Sequence, residues 1–196
     1  TGAEVWASDG TAAGTVLVTD IVPGTGSSSP TYLTDVNGAL FFRACESTSG
    51  CELWKSDGTT AGTVLLKDIL PGAGSSGPAY YTNVNGTLFF QAYDGSTGSE
   101  LWTSDGTTAG TVLVKDIFPG AGSSGLVYLT NANGTLYFRA SDGVTGAEVW
   151  ASDGTAAGTV LVEDIRPGPN GSNPSYLASA LGRLFLSADD GLLGAE

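Results

Sequence analysis

The chain has 196 residues, of which 30 are glycine and only 14% are charged, and it carries a net charge of −13. Such a surface is wrong for nucleic acid, whose phosphates need bases, and wrong for anionic lipid. Hydrophobic content of 41% is that of a chain able to bury a core, and no apolar run nears the ~20 residues of a bilayer span. Strand and turn formers dominate, so the expected class is all-β.

The first element, Ala3–Ser8, holds Glu4 and Trp6 on one strand face and Val5 on the other. Asp9-Gly10 then marks a turn. Thr15–Ile21 is a β-branched second strand, and Pro23–Pro30 is a loop rich in glycine and serine that cannot continue a central strand. Tyr32–Val36 is the third strand. Asn37-Gly38 is a hairpin turn, because both residues tolerate positive φ, and Leu40–Ala44 is the fourth strand. A link ending at Gly50 leads to the next Glu-Leu-Trp.

The same order recurs three more times without insertion or deletion. Trp6, Trp54, Trp102 and Trp150 are spaced by 48 residues, and residues 1–18 recur identically as 145–162. The chain therefore divides into units 1–48, 49–96, 97–144 and 145–192, with 193–196 starting a fifth, all in one repeat domain. Of the 20 acids, 17 stand at four recurring positions, so the acidity belongs to the repeat. The chain has no methionine, not even at position 1, which reads as a processed chain or an excised piece.

Four short antiparallel strands and then a longer step describe a propeller blade. Phe41 and Phe42 put large groups on both faces, as a blade packed between two neighbours requires. The prediction is an antiparallel β-propeller of four blades, with Tyr32–Val36 innermost and Thr15–Ile21 outermost. The first and last half-blades pair to close the ring, removing exposed edges. Four units cut from a longer array would show the same phase.

The residues Glu52-Leu53-Trp54-Lys55-Ser56-Asp57-Gly58-Thr59 carry a resemblance, repeated at Glu100–Thr107 and, with valine for leucine, at Glu4–Thr11 and Glu148–Thr155. The chain resembles the bacterial extracellular ELWxxDGT-repeat family over its whole length. The resemblance implies an extracellular or cell-surface, propeller-like module and brings no catalytic set with it.

The four tryptophans are read as packing groups between blades, with each N–H paired to a backbone carbonyl, and Glu4, Glu52, Glu100 and Glu148 as structural hydrogen-bond acceptors between blades. Stacking on sugars is the competing role for the indoles. Asp94, Asp142 and Asp190 open Asp-Gly links that offer oxygens to calcium, but calcium needs about six to eight ligands, and an aspartate capping a turn explains the pattern with fewer. No cofactor is otherwise called for. Asn85, Asn133 and Asn170 stand in glycosylation sequons, although the first two are hairpin turns first.

Cys45 and Cys51 face each other at the feet of one hairpin, where a disulfide fits. The chain has no histidine, so Ser-His and Cys-His catalysis have no base. The departures from the repeat (Cys45, Cys51, Asp35, Tyr93, Arg166, Asn170, Asn173 and Asp189) form no acid-base pattern in sequence, and a non-enzyme is expected. The expected function is a scaffold or adhesive module that associates with itself or with cell-surface polymers and glycans. Its expected contacts are repeated rim loops at Ser27, Ser28, Ser75, Ser76, Ser123 and Ser124, acting multivalently. Ser75-Ser76 and Ser123-Ser124 are expected to accept bulky charged residues with folding intact. The alternative is a carbohydrate-binding or carbohydrate-active propeller using exposed aromatics such as Tyr93.

Overall fold

A computed structural model describes residues 2–192 and is all-β and antiparallel. Each unit's strands form in chain order. The first pair is β1 (Val5–Ala7) and β2 (Val16–Thr19). Next come β3 (Thr31–Val36), β4 (Ala39–Glu46), β5 (Gly50–Ser56) and β6 (Val64–Lys67). The pattern repeats as β7 (Ala79–Val84), β8 (Thr87–Tyr93), β9 (Ser99–Ser104) and β10 (Val112–Lys115). It repeats again as β11 (Val127–Ala132), β12 (Thr135–Ser141), β13 (Ala147–Ser152) and β14 (Val160–Glu163). The last pair is β15 (Ser175–Ala180) and β16 (Arg183–Ser187).

Among the described residues these strands make three four-stranded meanders, β3–β6, β7–β10 and β11–β14, with a two-stranded sheet at each end. In the first three units the second strand stops before the isoleucine because that residue's N–H leaves the ladder for a side chain. Ile69 N–H donates to Glu52 Oε2 (3.0 Å), and Ile21 N–H to Glu4 Oε2 (3.1 Å).

Cores lie between successive sheets, because the four-stranded sheets carry apolar groups on both faces. Val36, Phe41, Leu53 and Leu66 meet Leu88, Phe90 and Trp102 of the next sheet. The same positions 48 residues on, Val84, Phe89, Leu101 and Val114, meet Leu136, Phe138 and Trp150. Val5 and Val18 pack likewise on Phe42, Ala44 and Trp54. Side chains also stitch one sheet to the next: Asn83 Nδ2 donates to Asp35 O (3.0 Å) and Asn131 Nδ2 to Asn83 O (3.0 Å). Lys67 Nζ and Lys115 Nζ reach across to Thr111 O and Thr159 O, both at 2.7 Å. Lysine at this position is thus a cross-sheet donor.

The expected closure of the ring is not formed. β1–β2 and β15–β16 are separate two-stranded sheets. Each sheet sits on the next, and the stacking steps leave the two ends apart. Trp6 is consequently 54% exposed, against 6–7% for Trp54, Trp102 and Trp150.

The Asn-Gly hairpins form as expected, with Asn37 at φ 55° and Gly38 at φ 79°. The fourth copy puts Leu181 at φ 53° in the same place, exposed to solvent. A leucine pays about 1–2 kcal/mol for a left-handed backbone, which asparagine tolerates far better. Leu181→Asn is therefore expected to raise stability by roughly 1 kcal/mol in urea denaturation.

Candidate functional site: carboxylate clamps and an inner-strand cleft

The loop that carries the chain from one sheet to the next is held by the signature glutamate. Glu52, fully buried on β5, accepts Ile69 N–H at 3.0 Å, Ser76 N–H at 2.6 Å and Ser76 Oγ–H at 2.6 Å. Glu4 repeats the set with Ile21 and Ser28, and Glu148 holds Ser172 through both its N–H and its hydroxyl. Glu100 takes the N–H groups of Ile117 (3.0 Å) and Ser124 (2.8 Å), while the Ser124 hydroxyl turns to Ser99 O (3.4 Å). Because Ser76 O in turn accepts Tyr93 N–H (3.0 Å), the clamp links two sheets.

This geometry corrects the expectation for the serine loops. Ser28, Ser76 and Ser124 are buried and spent on the clamps. Their neighbours Ser27, Ser75 and Ser123 accept the N–H groups of Ala3, Cys51 and Ser99, each at 2.9 Å. Bulky charges at Ser75-Ser76 or Ser123-Ser124 would break the clamp, so folding would not survive them intact.

The Ser-Asp-Gly-Thr part of the signature is a self-contained turn. Asp57 Oδ1 accepts Thr59 N–H (2.9 Å) and Oγ1–H (2.7 Å), and Ser56 Oγ accepts Gly58 N–H (3.0 Å). A Cβ at Gly62 would lie 2.1 Å from the Asp57 carboxylate, so only glycine closes it. The links are built similarly. Asp94 Oδ1 accepts from Ser96 and Thr97, and Asp142 Oδ1 accepts from Val144 and Thr145. Asp190 Oδ1 accepts Leu192 N–H (2.8 Å). Among the described residues no group of three or more His, Cys, Asp or Glu gathers as metal ligands would.

These carboxylates pull stability in opposite directions with pH. Burial pushes Glu100 up from an ordinary 4.5 to about 7, against the N–H groups of Ile117 and Ser124 that lower it, and burial raises Glu52 too. An acid whose pKa rises on folding holds its proton more tightly when folded, so its contribution is full below pH 4.5 and is lost as pH climbs through 7. The hydroxyl and N–H of Thr59 and Thr107 hold Asp57 and Asp105 below 3.8, and their contribution is lost as pH falls below that value. Stability is therefore expected to peak near pH 4 to 4.5 and to fall toward pH 8. Glu100 supplies a loss on the order of 3 kcal/mol at 1.36 kcal/mol per pH unit. Urea midpoints across pH 4–8 check this, and stability rising steadily from pH 5 to 8 would contradict it.

Trp54, Trp102 and Trp150 fill the inter-sheet cores as expected, but their indole N–H groups lack the expected carbonyl partners. The cross-strand neighbours of Trp54 are Phe42 and Leu65, whose side chains accept nothing. Lys115 Nζ stands 5.7 Å from the Trp150 ring. Cys45 and Cys51 face each other across β4 and β5 and are joined by a disulfide. Two departures that looked scattered in sequence also meet: Arg166 Nη1 and Asp189 Oδ2 form an ion pair at 2.6 Å.

One feature was not visible from the sequence. The first strand of each complete sheet has a bulge that holds Tyr32, Tyr80 and Tyr128 at φ 57–60°, and Tyr176 repeats it at φ 55°. The rings of Tyr80 and Tyr128 stand 40% and 43% exposed. Between them, where β7 meets β11, lies an open cleft of about 470 Å³, also lined by Tyr81, Leu129 and Arg139. The sole available signal was that a tyrosine holds this position in all four units.

Clamped, stacked antiparallel sheets define an all-β repeat protein whose recurring polar residues build the fold. Comparison of the chain with family sequence models, with curated proteins and with solved structures yields no match.

Proposed function

We propose that the chain is a non-catalytic, propeller-like scaffold module of an extracellular or cell-surface assembly, and that it joins a second copy head to tail. The observation that carries this is the pair of unequal open edges. β16 occupies the place of β4, β8 and β12, each of which pairs with the tryptophan strand after it. β1 is such a tryptophan strand, and within its sheet it pairs only with β2.

The end faces match as well. Phe185 is 49% exposed, whereas its equivalents Phe41 and Phe89 are 2% and 3% exposed, and Trp6 waits uncovered at the other end. Pairing β16 with β1 of the next copy would complete a four-stranded sheet and bury both. Carrying over the register Phe41↔Lys55 and Phe42↔Trp54 sets Phe185 opposite Ala7 and Leu186 opposite Trp6. Such a contact is heterologous and propagates. The resemblance to extracellular ELWxxDGT repeats and the Cys45–Cys51 disulfide support a place outside a reducing cytoplasm. No helix among the described residues is long and apolar enough to cross a membrane.

Light scattering after size exclusion, over a hundredfold range of concentration, tests the assembly. The mass is expected to grow in steps of 19.7 kDa, and Trp6→Asp to hold it at one step. A wild-type mass fixed at one chain throughout would refute it.

A further inference from the structure

We propose that the cleft between β7 and β11 binds a saccharide carrying a carboxylate, with the acid on Arg139 and the sugar ring against Tyr80 and Tyr128. The volume suits a small ligand, since such sites run from about 300 to 1,000 Å³. The chemistry follows from three observations. Tyr80 and Tyr128 are exposed aromatic rings held by a backbone conformation that side chains rarely adopt, and this presents them at the cleft at a conformational cost. Aromatic faces bordered by a polar group suit the C–H face of a sugar.

Arg139 supplies the polar group. Its Nε–H is buried without an acceptor, and no carboxylate among the described residues pairs with it. In a chain of 20 acids and 7 bases, a half-buried guanidinium left without an acid is matched to an outside anion. Arg166 is paired with Asp189, and Arg43, though its Nε–H also lacks an acceptor, lies over the Tyr32 ring at 5.6 Å.

The equivalent place one unit earlier, between β3 and β7, has Tyr81 where the cleft has Leu129. There Tyr32 stacks on Tyr81 at 5.7 Å, and Gln91 stands where Arg139 stands. The symmetry of the repeat is thus broken at the step between β7 and β11, where rings, space and cation coincide. A single guanidinium in a surface of net charge −13 selects one acid group over a polyanion.

This inference gives the adhesive side of the scaffold reading a ligand, and it does not depend on pairing between copies. The probe is a disaccharide ending in glucuronic acid, titrated by calorimetry and by amide chemical shifts, against the same disaccharide ending in glucose. The acidic sugar is expected to bind at least tenfold more tightly than the neutral one. Arg139→Gln and Tyr128→Ala should each weaken it by tenfold or more. Arg139→Lys, which keeps the charge, should retain part of the affinity and serves if the glutamine variant misfolds. Trp6→Asp, monomeric under the scaffold reading, should bind as the parent does, so loss of assembly and loss of the sugar site are told apart. Equal binding of the neutral sugar, equal binding of acetate alone, or unchanged affinity in Arg139→Gln would overturn the proposal.

Discussion

Glu52→Ala is expected to lower the stability of the chain by about 4 kcal/mol, among the largest effects of any single substitution. The change strands three donors at once: Ile69 N–H, Ser76 N–H and the Ser76 hydroxyl. Each buried donor left unpaired costs roughly 1–3 kcal/mol, and water entering the space of the lost side chain offsets part of the sum. Glu100→Ala strands Ile117 N–H alone, because the N–H (3.3 Å) and the hydroxyl (3.4 Å) of Ser124 both also reach Ser99 O, and it should cost less. Urea unfolding of the two variants gives the comparison. A loss below 1 kcal/mol for Glu52→Ala would mean that the crossing loop is held by something other than the clamp.

Trp102→Ala and Trp6→Ala should differ sharply although they alter the same repeat position. Trp102 is buried in the core with Phe41, Leu53 and Phe90, and its removal should cost about 3–5 kcal/mol. Trp6 is 54% exposed at the end of the stack, and its removal from a dilute, monomeric chain should cost less than about 1 kcal/mol. At high concentration Trp6→Ala should instead weaken assembly. Equal losses for the two variants in dilute solution would place Trp6 in a buried core and contradict the open end.

Much of the fold was legible because the repeat is strict and its signals are local. Strand order, the Asn37-Gly38 hairpins and the facing of Cys45 and Cys51 follow from alternation, turn chemistry and short spacing. What escaped depends on groups that meet over longer separations. Nothing near Glu52 announces that its acceptors are met by Ile69 and Ser76, 17 and 24 residues on. The serine loops looked free because glycine and serine also compose linkers, although a serine stands at 28, 76, 124 and 172 in every unit. Tyr80 and Tyr128 read as ordinary strand residues, because tyrosine favours strands and its composition gives no sign of a left-handed bulge. Ring closure failed as an expectation because phase tells which half-sheets are complementary, whereas the stacking angle between sheets decides whether they meet.

The central claim, that β16 pairs with β1 of another copy, is tested by one cross-link. The disulfide-bearing pair Cys45↔Cys51 corresponds at the two ends to Asp189 and Ala3. A chain carrying Asp189→Cys and Ala3→Cys, prepared as a mixture of isotopically light and heavy protein, is oxidised and the linked peptides are weighed. Head-to-tail pairing predicts bridges joining light to heavy peptides in statistical proportion and a ladder of covalent oligomers. Bridges confined to light–light and heavy–heavy pairs in a monomer would show a ring closed within one chain, and would contradict the account.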